Sequence, residues 1–175
     1  MLKRLMISFR LLMGVLLAVT AVGCRTAPVT TVYLVRHAEK ELTPGLTDPP
    51  LTAAGEARAE ALRDTLHAEK LAACFTTDTR RTRATLARVA IERQLPPLLY
   101  DAQKPADLVA RLRRDYAGQT VVVVGHSNTL LPLLAAMGVT GAPAEIGDDE
   151  YSYLFEVQLP ASGAGTLRVR HYGAQ

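Results

Sequence analysis

Two apolar segments of the chain end in residues that could act on a charged substrate. TVYLVR is a predicted strand that ends at Arg36 and runs into His37. VVVV is a second predicted strand, and Gly125, His126 and Ser127 follow it. Ligands of α/β sheets bind beyond the carboxyl ends of the parallel strands. We therefore expect these two strand ends, about 90 residues apart in sequence, to meet at one site.

Ser127 is one candidate nucleophile, because GHSNT resembles the GxSxG elbow of α/β-hydrolases. The fifth position, however, is Thr129, a β-branched residue that fits this tight turn poorly. The serine mechanism also needs an acid and a histidine later in the chain. The only later histidine is His171, four residues from the end and inside a predicted strand. The sequence therefore argues against a serine nucleophile.

The arginine and the two histidines suit an attack on phosphorus. An imidazole is a good nucleophile when one ring nitrogen is unprotonated and the other is held by a hydrogen bond. A phosphate dianion repels nucleophiles, so its oxygens must first be neutralised, which guanidinium groups do well. We therefore expect a second arginine from another strand end. TTDTRRTRATL, at the end of the predicted strand LAACFTT, supplies Arg80, Arg81 and Arg83.

Strands and helices alternate along most of the chain. The predicted strands are residues 31–36, 71–77, 97–100, 121–124, 150–159 and 166–172. The predicted helices are residues 52–70, 79–94, 105–117 and 128–137. Near-continuous apolar strands indicate a sheet that is covered on both faces. We predict a three-layer α/β/α domain with a mixed, mostly parallel six-stranded sheet whose last two strands form an antiparallel hairpin.

The start of the chain has the pattern of a bacterial lipoprotein signal peptide. Basic residues precede an apolar run of 12 residues, which is shorter than the roughly 20 needed to span a bilayer. The AVGC that follows resembles a lipobox, which implies lipidation of Cys24, and Arg25 favours the outer membrane. We predict a signal peptide (1–23), a tether (24–30) and a domain (31–175), anchored in the bacterial cell envelope and facing the periplasm.

The net charge of +3 comes from the predicted signal peptide. Cleavage before Cys24 leaves 17 basic and 17 acidic residues, so the charge gives no case for nucleic-acid binding. Cys74 is then the only cysteine of the domain, which excludes an internal disulfide. The four histidines are scattered without metal-ligand spacing, so we predict no metal.

Four segments resemble, in order, those of the histidine phosphatase (phosphoglycerate mutase-like) superfamily. RHAEK resembles the RHG/RHA signature, and DPPLTAAGEARAEAL is similar to the pLTxxGxxqA helix start. TTDTRRTRAT resembles SSPLxRAxxT, and VVVVGHSN resembles the strand that delivers the second histidine. The resemblance covers residues 31 to about 137 and implies a mixed six-stranded sheet with one antiparallel strand.

The resemblance implies a role for each matching residue. His37 would be the nucleophile that becomes phosphohistidine, while Arg36, Arg81 and His126 would bind the phosphate. The family needs no metal or other cofactor. It uses a carboxylic acid to protonate the leaving oxygen, and we assign this role to Asp101, directly after PLLY. The alternatives left open are Glu39, Glu150 and the pair Asp148 and Asp149.

Together these features predict an exported, lipid-anchored phosphomonoesterase of the compact phosphatase branch. Its substrate would be a phosphorylated small molecule or an envelope phosphoester. One alternative is a lipoprotein that binds a phosphate ligand with weak or lost turnover. Another is a phosphoglycerate mutase-type phosphotransferase, but such enzymes resemble RHGESxW and carry long insertions. This chain has no tryptophan, and only 39 residues separate Arg36 from Thr76.

Overall fold

The computed structural model describes residues 27–174. Within this range the strands are β1 (Val29–Arg36), β2 (Leu71–Thr76), β3 (Leu98–Leu99), β4 (Thr120–Gly125), β5 (Tyr153–Pro160) and β6 (Thr166–His171). The helices of the same range are α1 (Ala53–Thr65), α2 (Arg80–Arg93), α3 (Pro105–Asp115) and α4 (Ser127–Ala136). Every predicted strand and helix is present, with shifts at several ends.

The strands form one sheet in the order β3–β2–β4–β1–β5–β6. β3, β2, β4 and β1 run parallel, whereas β5 is antiparallel to both of its neighbours, β1 and β6. Helices α3 and α4 pack on one face of the sheet, and α1 and α2 pack on the other. The predicted three-layer fold with a mixed, mostly parallel sheet is therefore confirmed.

The four valines of β4 show why the sheet needs both helical layers. Val121 and Val123 belong to the core under α3 and α4, while Val122 and Val124 belong to the core under α1 and α2. All four side chains are fully buried. Because successive side chains of a strand point to opposite faces, an unbroken apolar run requires cover on both.

The register of the two central strands places the residues that follow them side by side. β1 and β4 are parallel neighbours, and Arg36 pairs with Gly125 at their carboxyl ends. The backbone nitrogen of His37 donates to the carbonyl oxygen of Gly125 at 2.9 Å. A Cβ atom at Gly125 would lie only 2.7 Å from the hydroxyl oxygen of Tyr100, so a larger residue here would force the side chain of Tyr100 to move.

Helix α1 is shorter than the predicted helix 52–70, because it ends at Thr65. The guanidinium group of Arg93, at the end of α2, donates to the carbonyl oxygens of Leu66 and His67. The carbonyl oxygen of Leu66 also accepts from the backbone nitrogen of Glu69 at 3.0 Å, a tighter turn than that of an α-helix, and Arg93 holds this turn against α2. The helix stops where the tertiary contact begins.

The start of α4 also differs from the prediction. The predicted helix begins at residue 128, but His126 is the N-cap of α4 and Ser127 is already helical. The backbone nitrogen of His126 donates to Oγ1 of Thr129 at 3.0 Å. The helix therefore begins directly after the histidine.

Several strand ends differ from the prediction as well. β1 starts at Val29, two residues before the predicted boundary, because Val29 and Thr30 pair with the antiparallel strand β5. β3 has only two residues instead of the four of PLLY, and it lies at the edge of the sheet after two prolines. β5 begins at Tyr153 rather than at residue 150.

No helix within residues 27–174 is both long enough and apolar enough to cross a membrane. The predicted signal peptide (1–23) and Cys24 lie outside the described residues.

Candidate active site

A cavity of about 510 Å³ opens at the carboxyl ends of the parallel strands. Five residues that the sequence predicted for the site line it: Arg36, His37, Arg81, Asp101 and His126. They come from the ends of β1, β3 and β4 and from the first turn of α2. The fold thus brings together all of the predicted phosphate-binding and catalytic positions.

His37 is buried and held in one tautomer. Its side chain is only 3% exposed, and Nδ1 lies 2.8 Å from the carbonyl oxygen of Ala38. A carbonyl oxygen only accepts, so Nδ1 carries the hydrogen and the lone pair is on Nε2. The backbone nitrogen of Ala38 donates to Oγ1 of Thr85 at 2.9 Å, which fixes the turn after the histidine. This is the state that a nucleophilic imidazole needs.

Both site histidines have a pKa well below the ordinary value of an imidazole. Burial lowers the pKa of His37 to about 3, against the opposing effect of the hydrogen bond to Ala38, and the charges of Arg81 and Arg36 lower it further. Burial also lowers the pKa of His126 to about 4, again with help from Arg81 and Arg36. The rings of the two histidines are neighbours, with centroids 5.4 Å apart.

These pKa shifts predict that neither ring gains a proton between pH 7 and pH 5.5 in the absence of ligand. The sign follows from the burial of the neutral rings beside two positive charges, which disfavours imidazolium. A ¹H–¹³C NMR titration of the ring signals of His37 and His126 checks this. Neutral-form shifts at pH 5.5 are expected, and a midpoint between pH 6 and 7 for either ring would contradict the geometry.

Arg36 carries a buried charge without a described counterion. The residue is 4% exposed, and its Nη1 donates to the carbonyl oxygens of Gly147 (2.6 Å) and Glu150 (3.3 Å). Its Cζ lies 4.3 Å from the ring centroid of Tyr151. Nε is buried and has no hydrogen-bond partner among the described residues. Buried charges are normally paired, so this arginine is suited to bind an anion.

Arg81 extends from the first turn of α2 toward His126. Its Nη2 lies 3.4 Å from Nδ1 of His126, and its Nη1 lies 3.5 Å from a carboxylate oxygen of Asp48. Its Nε, like that of Arg36, is buried and has no described partner. Two guanidinium groups with free Nε–H donors thus share one cavity with the two histidines.

Arg80 and Arg83, the other two arginines of TTDTRRTRATL, are placed differently. Arg83 forms an exposed ion pair with Asp78 at 2.6 Å, and neither Arg80 nor Arg83 lines the cavity. The resemblance singled out Arg81 among the three arginines of TTDTRRTRATL, and Arg81 is the one of the three that lines the cavity.

Two of the candidate acids lie in the cavity wall, namely Asp101 and Asp148. Oδ1 of Asp101 accepts from the backbone nitrogen of Gln103 at 2.9 Å, and its Oδ2 lies 3.8 Å from Nζ of Lys104. Its side chain is half exposed, so the carboxylate is accessible from the cavity. The role of general acid remains a prediction for Asp101, with Asp148 as its rival.

The rivals Glu39 and Glu150 are engaged elsewhere. Glu39 receives three hydrogen bonds from the guanidinium group of Arg58, at 2.7 to 3.0 Å. Burial opposes ionisation of Glu39, but the bonds from Arg58 prevail and lower its pKa. Glu150 accepts from the backbone nitrogen of Gly147 at 2.6 Å. Neither carboxylate lines the cavity, which disfavours both as proton donors.

The sequence did not point to Thr77, which also lines the cavity and contacts His126. The sequence around it, the threonine-rich stretch TTDT at the end of β2, is typical of an ordinary strand end.

Within residues 27–174 there is no group of three or more side chains suited to hold a metal ion.

Residues 32–103 match the family model described as the histidine phosphatase superfamily (branch 1). No curated protein sequence matches the chain significantly.

Solved structures share the fold at low sequence identity. An Escherichia coli K-12 protein described as an α-ribazole-5′-P phosphatase is 19% identical with a TM-score of 0.65, covering 83% of this chain and 99% of its own. Mycobacterial glucosyl-3-phosphoglycerate phosphatase is 14% identical with a TM-score of 0.63, covering 84% and 100%. Entamoeba histolytica phosphoserine phosphatase, solved with 3-phosphoglyceric acid, is 15% identical with a TM-score of 0.61, covering 83% and 98%.

The family match begins at the strand that carries Arg36 and His37 and includes α2 with Arg81, while the fold of the neighbours extends over β4 and His126. Residues 32–103, which include Arg36, His37 and Arg81, are thus similar to the histidine phosphatase superfamily (branch 1), and the solved structures share the fold.

Proposed function

We propose that the protein is a phosphomonoesterase that works through a phosphohistidine on His37. The observation that carries the proposal is the free Nε2 lone pair of His37, in a cavity that also holds Arg36 and Arg81. A neutral imidazole beside two guanidinium groups meets both needs of phosphoryl transfer. The nucleophile is unprotonated, and the charge of the phosphate oxygens is offset.

The proposed reaction has two steps. The phosphate oxygens bind Arg36 and Arg81, and Nε2 of His37 attacks phosphorus while the bond to the alcohol oxygen breaks. Asp101 gives its proton to that oxygen, with Asp148 as the alternative donor. Water then attacks the phosphohistidine, the P–N bond breaks, and the carboxylate takes the proton of the water. Inorganic phosphate leaves and His37 is regenerated.

The solved structures that share this fold favour hydrolysis over mutase activity. All three of the structures named above are described as phosphatases, and the chain spans nearly their whole length. We extend hydrolysis of a phosphorylated small molecule to this chain on that basis. An envelope phosphoester fits equally well if the protein is exported.

A phosphate-binding lipoprotein with weak turnover is the second candidate. It is favoured by Asp101, whose carboxylate bonds its own loop at Gln103 and is half exposed. An aryl phosphate separates the two candidates, because its leaving group needs little help from an acid. Hydrolysis of p-nitrophenyl phosphate by the detergent-solubilised full chain supports the enzyme. Binding of inorganic phosphate without any such hydrolysis would support the binding protein.

The phosphate pocket predicts unequal effects of neighbouring arginines. Arg36→Ala and Arg81→Ala should each lower kcat/KM for p-nitrophenyl phosphate about 10²- to 10³-fold, as expected when one preorganised contact to the developing charge is removed. Arg80→Ala and Arg83→Ala are the matched controls and should stay near wild type, because neither lines the cavity. A critical Arg80 beside a dispensable Arg81 would show that the wrong arginine has been assigned.

We also propose that the protein is exported, lipidated at Cys24 and held in the outer membrane facing the periplasm. The support is the basic start, the apolar run and the AVGC of the sequence.

Metabolic labelling with a fatty acid analogue in a Gram-negative host should mark the wild type and leave Cys24→Ala unmarked. Cys74→Ala is the control and should keep the label, because Cys74 is a buried residue of β2. A wild type without label in the membrane fraction would remove the anchor.

A further inference from the structure

A row of threonine hydroxyl groups lies behind His126 and takes no part in the reaction proposed above. Nε2 of His126 lies 2.9 Å from Oγ1 of Thr77. Oγ1 of Thr77 donates to Oγ1 of Thr82 at 3.0 Å, and that hydroxyl donates to the carbonyl oxygen of Thr77 at 2.9 Å. Thr82 is fully buried and Thr77 is 6% exposed, so water does not replace these contacts freely.

The contact at the other nitrogen of the His126 ring decides which group donates and which accepts in each of these hydrogen bonds. Nη2 of Arg81 lies 3.4 Å from Nδ1 of His126, and a guanidinium group only donates. Nδ1 therefore presents its lone pair, and the ring hydrogen is on Nε2. Nε2–H donates to Thr77, whose hydroxyl donates onward to Thr82. If the hydrogen were on Nδ1 instead, the Nδ1–H of His126 would face an N–H of Arg81, and two donors would be in contact.

We infer that Thr77 is a positioning residue, whose hydroxyl fixes the ring orientation and the tautomer of His126. The partner of one ring nitrogen decides which nitrogen carries the hydrogen. With Nε2–H committed to Thr77, the lone pair of Nδ1 faces Arg81 and the cavity. There it can accept the hydrogen of a phosphate monoanion and then donate it back to a phosphate oxygen. This inference rests on the proposed function only in assigning His126 to the phosphate.

Removal of the Thr77 hydroxyl should leave the orientation and the tautomer of the His126 ring less constrained. Nε2 would then have no hydrogen-bond partner, and only the longer contact of Arg81 with Nδ1 (3.4 Å) would hold the ring, so the two tautomers and the two ring orientations would come closer in free energy. Thr77→Val is the direct test, because valine keeps the shape of threonine and suits a strand end. Thr77→Ser keeps the hydroxyl. Thr76→Val is the matched control, since Thr76 is also buried and its hydroxyl donates only to a backbone carbonyl group.

The tautomer can be read without any turnover. Two-bond ¹H–¹⁵N correlation of the ¹⁵N-histidine-labelled full chain should show His126 with hydrogen on Nε2 in the wild type, in Thr77→Ser and in Thr76→Val. Thr77→Val should give a mixture of tautomers. The inference is overturned by a hydrogen on Nδ1 in the wild type, or by an unchanged pattern in Thr77→Val.

Kinetics provide a second readout. Thr77→Val should lower kcat for p-nitrophenyl phosphate about 10- to 100-fold, by analogy with the loss of a hydrogen-bond partner from a metal-binding histidine. Thr77→Ser should recover most of it, and the thermal midpoints of Thr77→Val and Thr76→Val should be similar. Equal losses of activity in these two valine variants would contradict a specific role for Thr77. If the wild type hydrolyses no aryl phosphate, the proposed function fails, while the NMR pattern still decides the role of Thr77.

Discussion

His37→Ala is expected to abolish hydrolysis of p-nitrophenyl phosphate. The variant loses the Nε2 lone pair that would bond to phosphorus, and the one other imidazole among the residues described at the cavity is that of His126. His126 has its Nε2 turned to Thr77 and its Nδ1 turned to Arg81. A better leaving group should not rescue the variant, because the missing element is the nucleophile rather than the acid.

His67→Ala is the matched control for this variant. Its side chain is 75% exposed and lies beside Glu92 on the surface, at 3.1 Å. Its kcat should equal that of the wild type. A His37→Ala protein that keeps more than a small fraction of wild-type kcat, with its fold intact by circular dichroism, would refute His37 as the nucleophile.

His126→Ala should be severely impaired, whereas the adjacent Ser127→Ala should keep most of its activity. The histidine variant keeps the nucleophile but loses the ring between Thr77 and Arg81. Without that ring, Arg81 loses a contact and the phosphate loses one partner. A loss of about 10²- to 10³-fold in kcat/KM is the order expected for one such contact.

Ser127 serves as the control because it lines the same cavity one residue away. It is the first residue of α4, where its hydroxyl can contribute at most one hydrogen bond to a bound phosphate. Parallel assays of the two variants with p-nitrophenyl phosphate measure the contrast. The assignment fails if Ser127→Ala is the inactive variant and His126→Ala is not.

The sequence was sufficient to locate the main parts of the site. Unbroken apolar strands require a sheet covered on both faces, and such a sheet exposes ligands at its strand ends. Arg36, His37 and His126 follow from that rule. Their meeting depends on the pairing of β1 with β4, which sequence alone leaves open.

Features that depend on distant contacts were not predictable in the same way. Nothing local in Glu39 reveals that Arg58, 19 residues later, binds its carboxylate and removes it from the list of acids. The early end of α1 reflects the reach of Arg93 from another helix. The role of Thr77 requires the positions of both ring nitrogens of His126. Each of these is a tertiary hydrogen bond of a long or polar side chain.

The central claim is that phosphate is transferred to a histidine. Rapid quench of the full chain with a ³²P-labelled phosphomonoester tests it most directly. We predict a transient labelled protein whose label is lost in acid and retained in base, as for phosphohistidine, and which His37→Ala does not form. Label that survives acid and disappears in Ser127→Ala would contradict the account and indicate a serine nucleophile.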